Sequence, residues 1–470
     1  MRAIGAGQDD PTDMKSKVAI LARRMEMDRA VLFGLLSKVW ALGAGPVSLY
    51  LIASHFSPEV QGYYYTFSTL LALQVFVELG IGVVIQQFSS HEWSKLRLDA
   101  GGRLVGDPVA LARLSSIARI GLKWFGMGGA LASLGLAVGG YVFFSTSPAI
   151  GIAWQAPWFV LCGMTGMVIF MQCIWSVLEG CNQVHRLYPF RFFQGIWSQS
   201  VLWIAIASGA ELWTASFTTA ATLFASFLFL RRFYTGFVLD LLTARSHGHP
   251  VRWAKDLFPM QWRIALSWLS GYFCFSLFVP VLFKFHGPVV AGRMGMTWTL
   301  VGVVGTIAGS WIAPKVPRFA MLAAERNYQA LDRLFWRVTG ISIVVAAMTA
   351  LALFAFVVLL NTVDVPVAHR VASRLFDPLT VGLFLMAQLL LVSSIPFSSY
   401  MRAHKQEPIA HLSFAAAVMI GLSTVILGKY YAGLGVAAGY LIVHLLIIPL
   451  VIFVWYRRRR EWMVASPVGC

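Results

Sequence analysis

This chain is short of charge. Only 12% of its 470 residues are Asp, Glu, Lys or Arg, about half the usual fraction of a soluble domain, which is roughly 25%. Strict apolar/polar alternation is missing too, and that excludes an outer-membrane β-barrel. Cysteine is sparse: Cys162, Cys173, Cys181, Cys274 and Cys470, with no CxxC spacing. Neither a disulfide framework nor a zinc site is expected, nor any other cofactor or metal. Cys470 is the last residue, so a prenylation box cannot be formed. No Walker motif occurs, so ATP hydrolysis by this chain is not expected. Residues 1–30 are polar and carry no signal-peptide core; they read as a cytoplasmic arm. Acidic residues number 20 against 37 Lys and Arg, for a net charge of +17. The basic residues lie between apolar runs, where membrane topology explains them, so no nucleic-acid partner is expected.

What the chain does have is long apolar runs. It is 58% hydrophobic, with a mean hydropathy of +0.71. The first two runs, 31–53 and 63–88, are each long enough to cross a hydrocarbon core of about 30 Å. Further runs follow near 117–144, 155–180, 190–208, 212–230, 260–283, 289–312, 337–360, 378–400, 410–428 and 433–455. The expected fold is all-α and polytopic, with twelve spans. With both termini placed in the cytoplasm, nearly all of the Lys and Arg fall on the inner side. The exceptions are Lys284, Arg293, Arg370, Arg374 and Lys429 on the outer side and Lys38 within a span. This bias sets the expected orientation. The outer connectors are too short for a folded domain. The inner stretches 231–259 and 313–336 mix apolar and basic residues at helical spacing, as interfacial helices do. The run Arg457-Arg458-Arg459-Arg460 reads as a stop signal in contact with anionic lipid.

An internal repeat is visible. Pro58-Glu59-Val60-Gln61-Gly62 joins spans 1 and 2, and Gly287-Pro288-Val289-Val290-Ala291-Gly292 joins spans 7 and 8. Leu111-Ala112-Arg113-Leu114 before span 3 is echoed by Leu331-Asp332-Arg333-Leu334 before span 9. Two halves of six spans both start inside, so they are parallel repeats around a central cavity. The expected division is an N-lobe over 31–230, a linker over 231–259, a C-lobe over 260–455 and a basic tail over 456–470.

The Pro-x-x-x-Gly-Tyr connector, a second span rich in Gly, Phe and Leu, and the basic stretch from Pro314 to Ala324 together give a resemblance. The chain resembles the polysaccharide and O-antigen flippases of the multidrug/oligosaccharidyl-lipid/polysaccharide (MOP) exporter superfamily. The resemblance implies a V-shaped, two-lobed transporter of the bacterial inner membrane. It implies undecaprenyl-diphosphate-linked oligosaccharide as substrate, alternating access, and H+ or Na+ as a coupling ion. Polysaccharide polymerases or glycosyltransferases are the implied partners. Drug-exporting relatives commonly carry a carboxylate in the first span. Here that span has no Asp or Glu and holds Lys38 instead, which suits an anionic substrate.

A diphosphate lipid needs cations, and its sugars need hydroxyl or amide partners. Lys38 lies about 10 Å deep and Glu78 about 15 Å, at about 1.5 Å per residue. Each is costly there, by about 2.5–3.5 kcal/mol, so each should face a partner or a wet cavity. Their spans read as antiparallel neighbours, so a Lys38–Glu78 ion pair is one expectation and a transport role the other. Arg263, Gln74, Gln172, Gln388 and His444 complete the cavity candidates. Gln86 and Gln87 are weaker ones, and Glu179 reads as interfacial. For each glutamine the competing reading is a bond between helices, and for His444 a structural hydrogen bond. A cation-coupled drug exporter, a polymerase or ligase, and a non-transporting assembly protein are the alternative functions. An enzyme is not expected, because the outer loops are short.

Overall fold

A computed structural model describes residues 29–464 apart from 100, 147–150, 244–250, 260, 263–264, 266–275 and 405–407. The chain is a bundle of long helices. Span 1 is Arg29–His55, span 3 Pro108–Ser145, span 4 Gln155–Gly180, span 5 Val184–Ala207 and span 6 Trp213–Phe233. Spans 7 and 8 share the element Phe278–Ile312, kinked at Gly287. Span 9 is Tyr328–Thr362 and span 10 Pro378–Ala403. Spans 11 and 12 share Ala410–Val464, kinked at Ala432. Among the described residues, eight helices, or nine with one bent pair, are long and apolar enough to cross a membrane. The shortfall from twelve has identifiable sources. Two elements each merge two spans, and span 5 carries His185, Arg186 and Arg191 in its first turns.

Span 2 is broken. Pro58–Leu71 runs through a 3-10 turn, Ala72–Gln74, into Val75–Glu78. Leu79 and Gly80 then take positive φ, 41° and 71°, before Ile81–Trp93 continues with a bend of 48°. A break frees carbonyls that lipid cannot satisfy. Here the Trp124 indole donates to the Val77 carbonyl at 2.9 Å. The connector after span 2 holds a short hairpin within the all-α fold. Leu96–Leu98 (β1) pairs antiparallel with Leu104–Gly106 (β2). The stretch after span 6 includes the helix Thr235–Thr243. The basic stretch after span 8 forms Val316–Ala324.

The buried core shows how the halves meet. One cluster joins both halves: Ile52, Phe56, Tyr63, Phe67, Phe144 and Trp158 pack with Phe278, Phe283 and Met294. It includes the short-connector ends of spans 1, 2, 7 and 8. Two more clusters lie at the other, basic end. One runs from Ile81 to Leu257, in the N-terminal half and the stretch that follows it, and the other from Ile312 to Trp455, in the C-terminal half. Among the described residues the halves therefore share one core at the short-connector end and have separate cores at the basic end.

The repeated motif makes that joint. Pro58 opens its helix behind the N-cap Ser57, and Pro288 opens its own behind Gly287 at φ 81°. Proline suits a first helical turn, where its missing N–H is not needed. The two motifs lie against each other. A Cβ on Gly62 would stand 1.9 Å from the Pro288 carbonyl oxygen, and one on Gly292 would stand 2.9 Å from the Gly62 nitrogen.

Candidate functional site

A cavity of about 380 Å³ opens between spans 1, 2, 5 and 8. Span 1 supplies Ser37, Trp40, Ala44 and Ser48, and span 2 Tyr64 and Tyr65. Arg191 and Gln199 come from span 5, and Thr299 from span 8. Spans 1 and 5 run side by side. Phe33 packs on Phe192 with centroids 5.7 Å apart, and Trp40 on Trp203 at 6.0 Å. Higher up, the Ser48 hydroxyl accepts from Gln199 Nε2 at 2.5 Å and from Trp203 Nε1 at 2.9 Å, and donates to the Ala44 carbonyl. This ties the wall together and fixes the Gln199 amide in the cavity lining.

Arg191 is the cation of this wall. Its Nη2 lies 2.5 Å from Glu179 Oε1, contributed by span 4. Glu179 is thus a partner of the cavity arginine rather than a bare interfacial acid. On the same helix, Gln194 and Ser198 turn the other way and bond Ser226 and Thr222 of span 6 at 2.8 Å. Span 5 therefore has one polar stripe for its neighbour and one for the cavity.

Lys38 is exposed on span 1. Positions seven apart lie on nearly one helix face, about 20° off. Lys38, Gly45 and Ile52 form such a stripe, and Gly45 and Ile52 line the cavity. Lys38 itself is not among the lining residues; it follows Ser37, which is. Among the described residues Lys38 and Glu78 form no ion pair. Span 1 packs on span 5, while the segment Ile81–Trp93 packs on spans 3 and 4. The first hairpin splays, and its two ionisable residues sit on helices with different neighbours. Glu78 is half-buried directly before the break, in the segment that packs on span 3.

The other candidates scatter. Gln74 is half-buried in the 3-10 turn of span 2, and Gln172 half-buried on span 4. Gln86 is half-buried and Gln87 exposed. Gln388 is buried against span 8; a Cβ on Gly305 would stand 2.6 Å from its Nε2. It fills a gap between helices of one half. His444 is buried, with Nδ1 2.8 Å from the Tyr440 carbonyl one turn back and its ring 4.3 Å from the Tyr440 ring. Its bond is within its own helix. Arg263 lies outside the described residues. Lys284 and Arg293 are exposed at the short-connector end.

Arg191 escapes a reading by hydropathy, because Pro189 and three basic residues put the apparent start of span 5 at residue 190 and leave Arg191 at its very end. The helix in fact starts at Val184 and carries Pro189 inside. The signal was present as Arg191, Gly195, Gln199 and Leu202, a helical stripe that now lines the cavity.

The short-connector end is latched beside the paired glycines. Arg374 donates to the Phe56 carbonyl at 2.5 Å and to Gln61 Oε1 at 3.4 Å. Gln61 Nε2 donates to the Gly292 carbonyl at 2.9 Å. Burial pulls the Arg374 guanidinium below its usual range; Glu59 opposes this, and Arg293 and Arg370 add to it. At the basic end of the C-terminal half, Asp332 accepts from Tyr400 at 2.9 Å and is ion-paired with Arg459. One arginine of the closing run is therefore held inside the protein, and Arg458 pairs with Glu461 at 2.8 Å.

No family model matches this chain, and no curated protein matches it. Solved structures do. An inward-facing multidrug resistance MATE family transporter of the MOP superfamily aligns with a TM-score of 0.60 at 16% identity, covering 93% of this chain and 96% of that one. Lipid II flippase MurJ, in an inward closed conformation, aligns with a TM-score of 0.55 at 14% identity, covering 92% and 91%. The MATE multidrug transporter DinF-BH aligns with a TM-score of 0.53 at 14% identity, covering 91% and 96%. The chain therefore has the two-lobed, twelve-helix membrane fold seen in these transporters. Its neighbours in fold are transporters.

Proposed function

We propose that this protein is a flippase for a lipid-diphosphate-linked oligosaccharide in a bacterial inner membrane, serving cell-surface polysaccharide synthesis. The observation that carries the reading is the cavity wall. It carries Arg191 together with hydroxyl, amide and aromatic groups, and Lys38, exposed beside the lining residue Ser37, is the second proposed cation. Guanidinium and ammonium groups take phosphate, while amides, hydroxyls and ring faces take sugar. The one carboxylate beside Arg191, Glu179, is already paired with it, so the wall offers little to a cationic drug. Lipid II flippase MurJ is a neighbour in fold that acts on a lipid, which accords with the reading.

The positive-inside pattern puts the basic end in the cytoplasm, with both termini. On this orientation the latched short-connector end is the outer gate, and the state is one of the two of alternating access. Glycosyltransferases that build the saccharide and polymerases that use it are the proposed partners, and H+ or Na+ the proposed coupling ion.

The test is export in cells and in proteoliposomes. Removing one charged hydrogen bond to phosphate costs about 1.5–3 kcal/mol, roughly 10- to 150-fold in affinity. Lys38→Gln and Arg191→Gln should each weaken export of the lipid-linked saccharide on that scale, while Arg191→Lys retains part. Because Arg191→Gln leaves Glu179 unpaired, the Glu179→Gln/Arg191→Gln double variant controls for folding. Normal saccharide export by folded Lys38→Gln and double-variant proteins sinks the phosphate reading. A gain in export of a cationic dye would point to a drug exporter instead.

A further inference from the structure

A second pocket, of about 510 Å³, lies at the basic end of the N-terminal half, away from the transport cavity. Its walls are the β1–β2 hairpin, the turn between spans 4 and 5, and the end of span 6. Arg186 and His185 enter from span 5, Arg232 from span 6, and Asp99 with Gly101 and Gly102 from the hairpin. Arg186 and the cavity residue Arg191 are five positions apart on one helix, about 140° around it at about 100° per residue. The two arginines therefore serve different sites.

The pocket is built from fixed parts. Arg103 anchors the hairpin to Asp240 at 2.8 Å, and the Leu104 amide donates to the same carboxylate at 2.9 Å. Leu96 and Leu104 are buried in the core of this half. The turn before span 5 is held by buried Gln183, whose Nε2 donates to the Cys181 carbonyl at 3.0 Å. The Tyr234 hydroxyl donates to Gln183 Oε1 at 3.3 Å, and the charge of Arg186 acts on it.

The charges do not balance. Asp240 is taken by Arg103, Glu179 by Arg191 and Glu92 by Arg113. Asp99 accepts from the Arg103 amide at 2.8 Å. Among the described residues no carboxylate is ion-paired with Arg186 or Arg232. Two guanidiniums and an imidazole thus converge from two helices on one polar pocket whose one lining carboxylate, Asp99, accepts from the Arg103 amide. We propose that this pocket binds a phosphate group, held between Arg186 and Arg232 at the membrane surface. Planar guanidiniums bind phosphate oxygens in pairs, and that fits a headgroup phosphodiester as well as a free diphosphate.

The experiment uses the full-length protein purified in neutral detergent. Binding is read by native mass spectrometry and by quenching of Trp93, which lines the pocket. The probes are short-chain phosphatidylglycerol, phosphatidylcholine as a zwitterionic phosphate, and inorganic pyrophosphate. Saturable binding of phosphatidylglycerol, weakened at least tenfold by Arg232→Gln and largely kept by Arg232→Lys, supports a lipid headgroup. The same pattern with pyrophosphate alone supports a soluble phosphate compound. Arg232 is exposed and lies over the Phe233 ring, at 5.3 Å, so this variant leaves the fold in place. Arg186→Gln should act in the same direction, with a thermal melt checking the corner at Tyr234. Binding of either probe that is equal in wild type, Arg232→Gln and Arg186→Gln overturns the proposal, as does no saturable binding of any probe. Saccharide export by Arg232→Gln is read separately, so loss here leaves the transport reading independently testable.

Discussion

Gly62 offers a sharp test of how the two halves close. Its missing side chain faces backbone: a Cβ would stand 1.9 Å from the Pro288 oxygen, 2.4 Å from its carbonyl carbon and 2.7 Å from its Cα. No rotamer change can relieve this. Reaching a contact of about 3.4 Å, near the usual non-bonded distance, needs the helices to part by about 1.5 Å. The Gln61 bond to the Gly292 carbonyl, now 2.9 Å, would then pass beyond hydrogen-bond range. Leaving a buried amide unpaired costs about 1–3 kcal/mol. Adding lost dispersion along the seam gives about 2–3 kcal/mol against the latched state, a roughly 30- to 150-fold change in the ratio of states. Spin labels at His55 and Asp364 report the short-connector end, and labels at Val105 and Glu325 the basic end. In Gly62→Ala the first distance should lengthen and the second shorten. Gly292→Ala, whose Cβ would stand 2.9 Å from the Gly62 nitrogen, should shift the same way by less. Gly43→Ala, with nothing within 4 Å, should shift nothing. Unchanged distances in a folded Gly62→Ala protein would refute the argument that this contact holds the closure.

Four further outcomes follow from the structure. Arg374→Gln removes the donor to the Phe56 carbonyl and should shift the same labels in the same direction, by a smaller amount than Gly62→Ala. Asp332→Asn unpairs Arg459 at the basic end and should lower the thermal midpoint of the purified protein, with little change in the His55–Asp364 distance. Burial holds His404 below its usual pKa, opposed by its bond to the Tyr400 carbonyl and by Asp332. The unfolded chain therefore takes the proton first. Stability should fall as pH drops through the unfolded value of about 6.5, and His404→Asn should flatten melts recorded between pH 7.5 and 5.5. Cysteines at His55 and Asp364 should label from outside intact cells and those at Val105 and Glu325 should not; the reverse would overturn the orientation.

Sequence alone carried the architecture a long way. Apolar runs, scarce charge and basic connectors define a polytopic bundle, because every span must satisfy its own backbone in lipid. The Pro-x-x-x-Gly pair was legible for the same local reason: proline starts a helix and glycine permits close approach. Lys38 stood out because a lone cation in an apolar run is visible without neighbours. Three things needed tertiary structure. The two motifs face each other, a fact about helices 230 residues apart that no local pattern holds. Span 2 breaks beside Glu78, where the Trp124 indole of another helix covers the exposed carbonyl. Arg191 belongs to the cavity and Glu179 to Arg191. Depth in a membrane depends on where a helix actually begins, and a polar residue's role depends on which helix it meets; hydropathy reports neither.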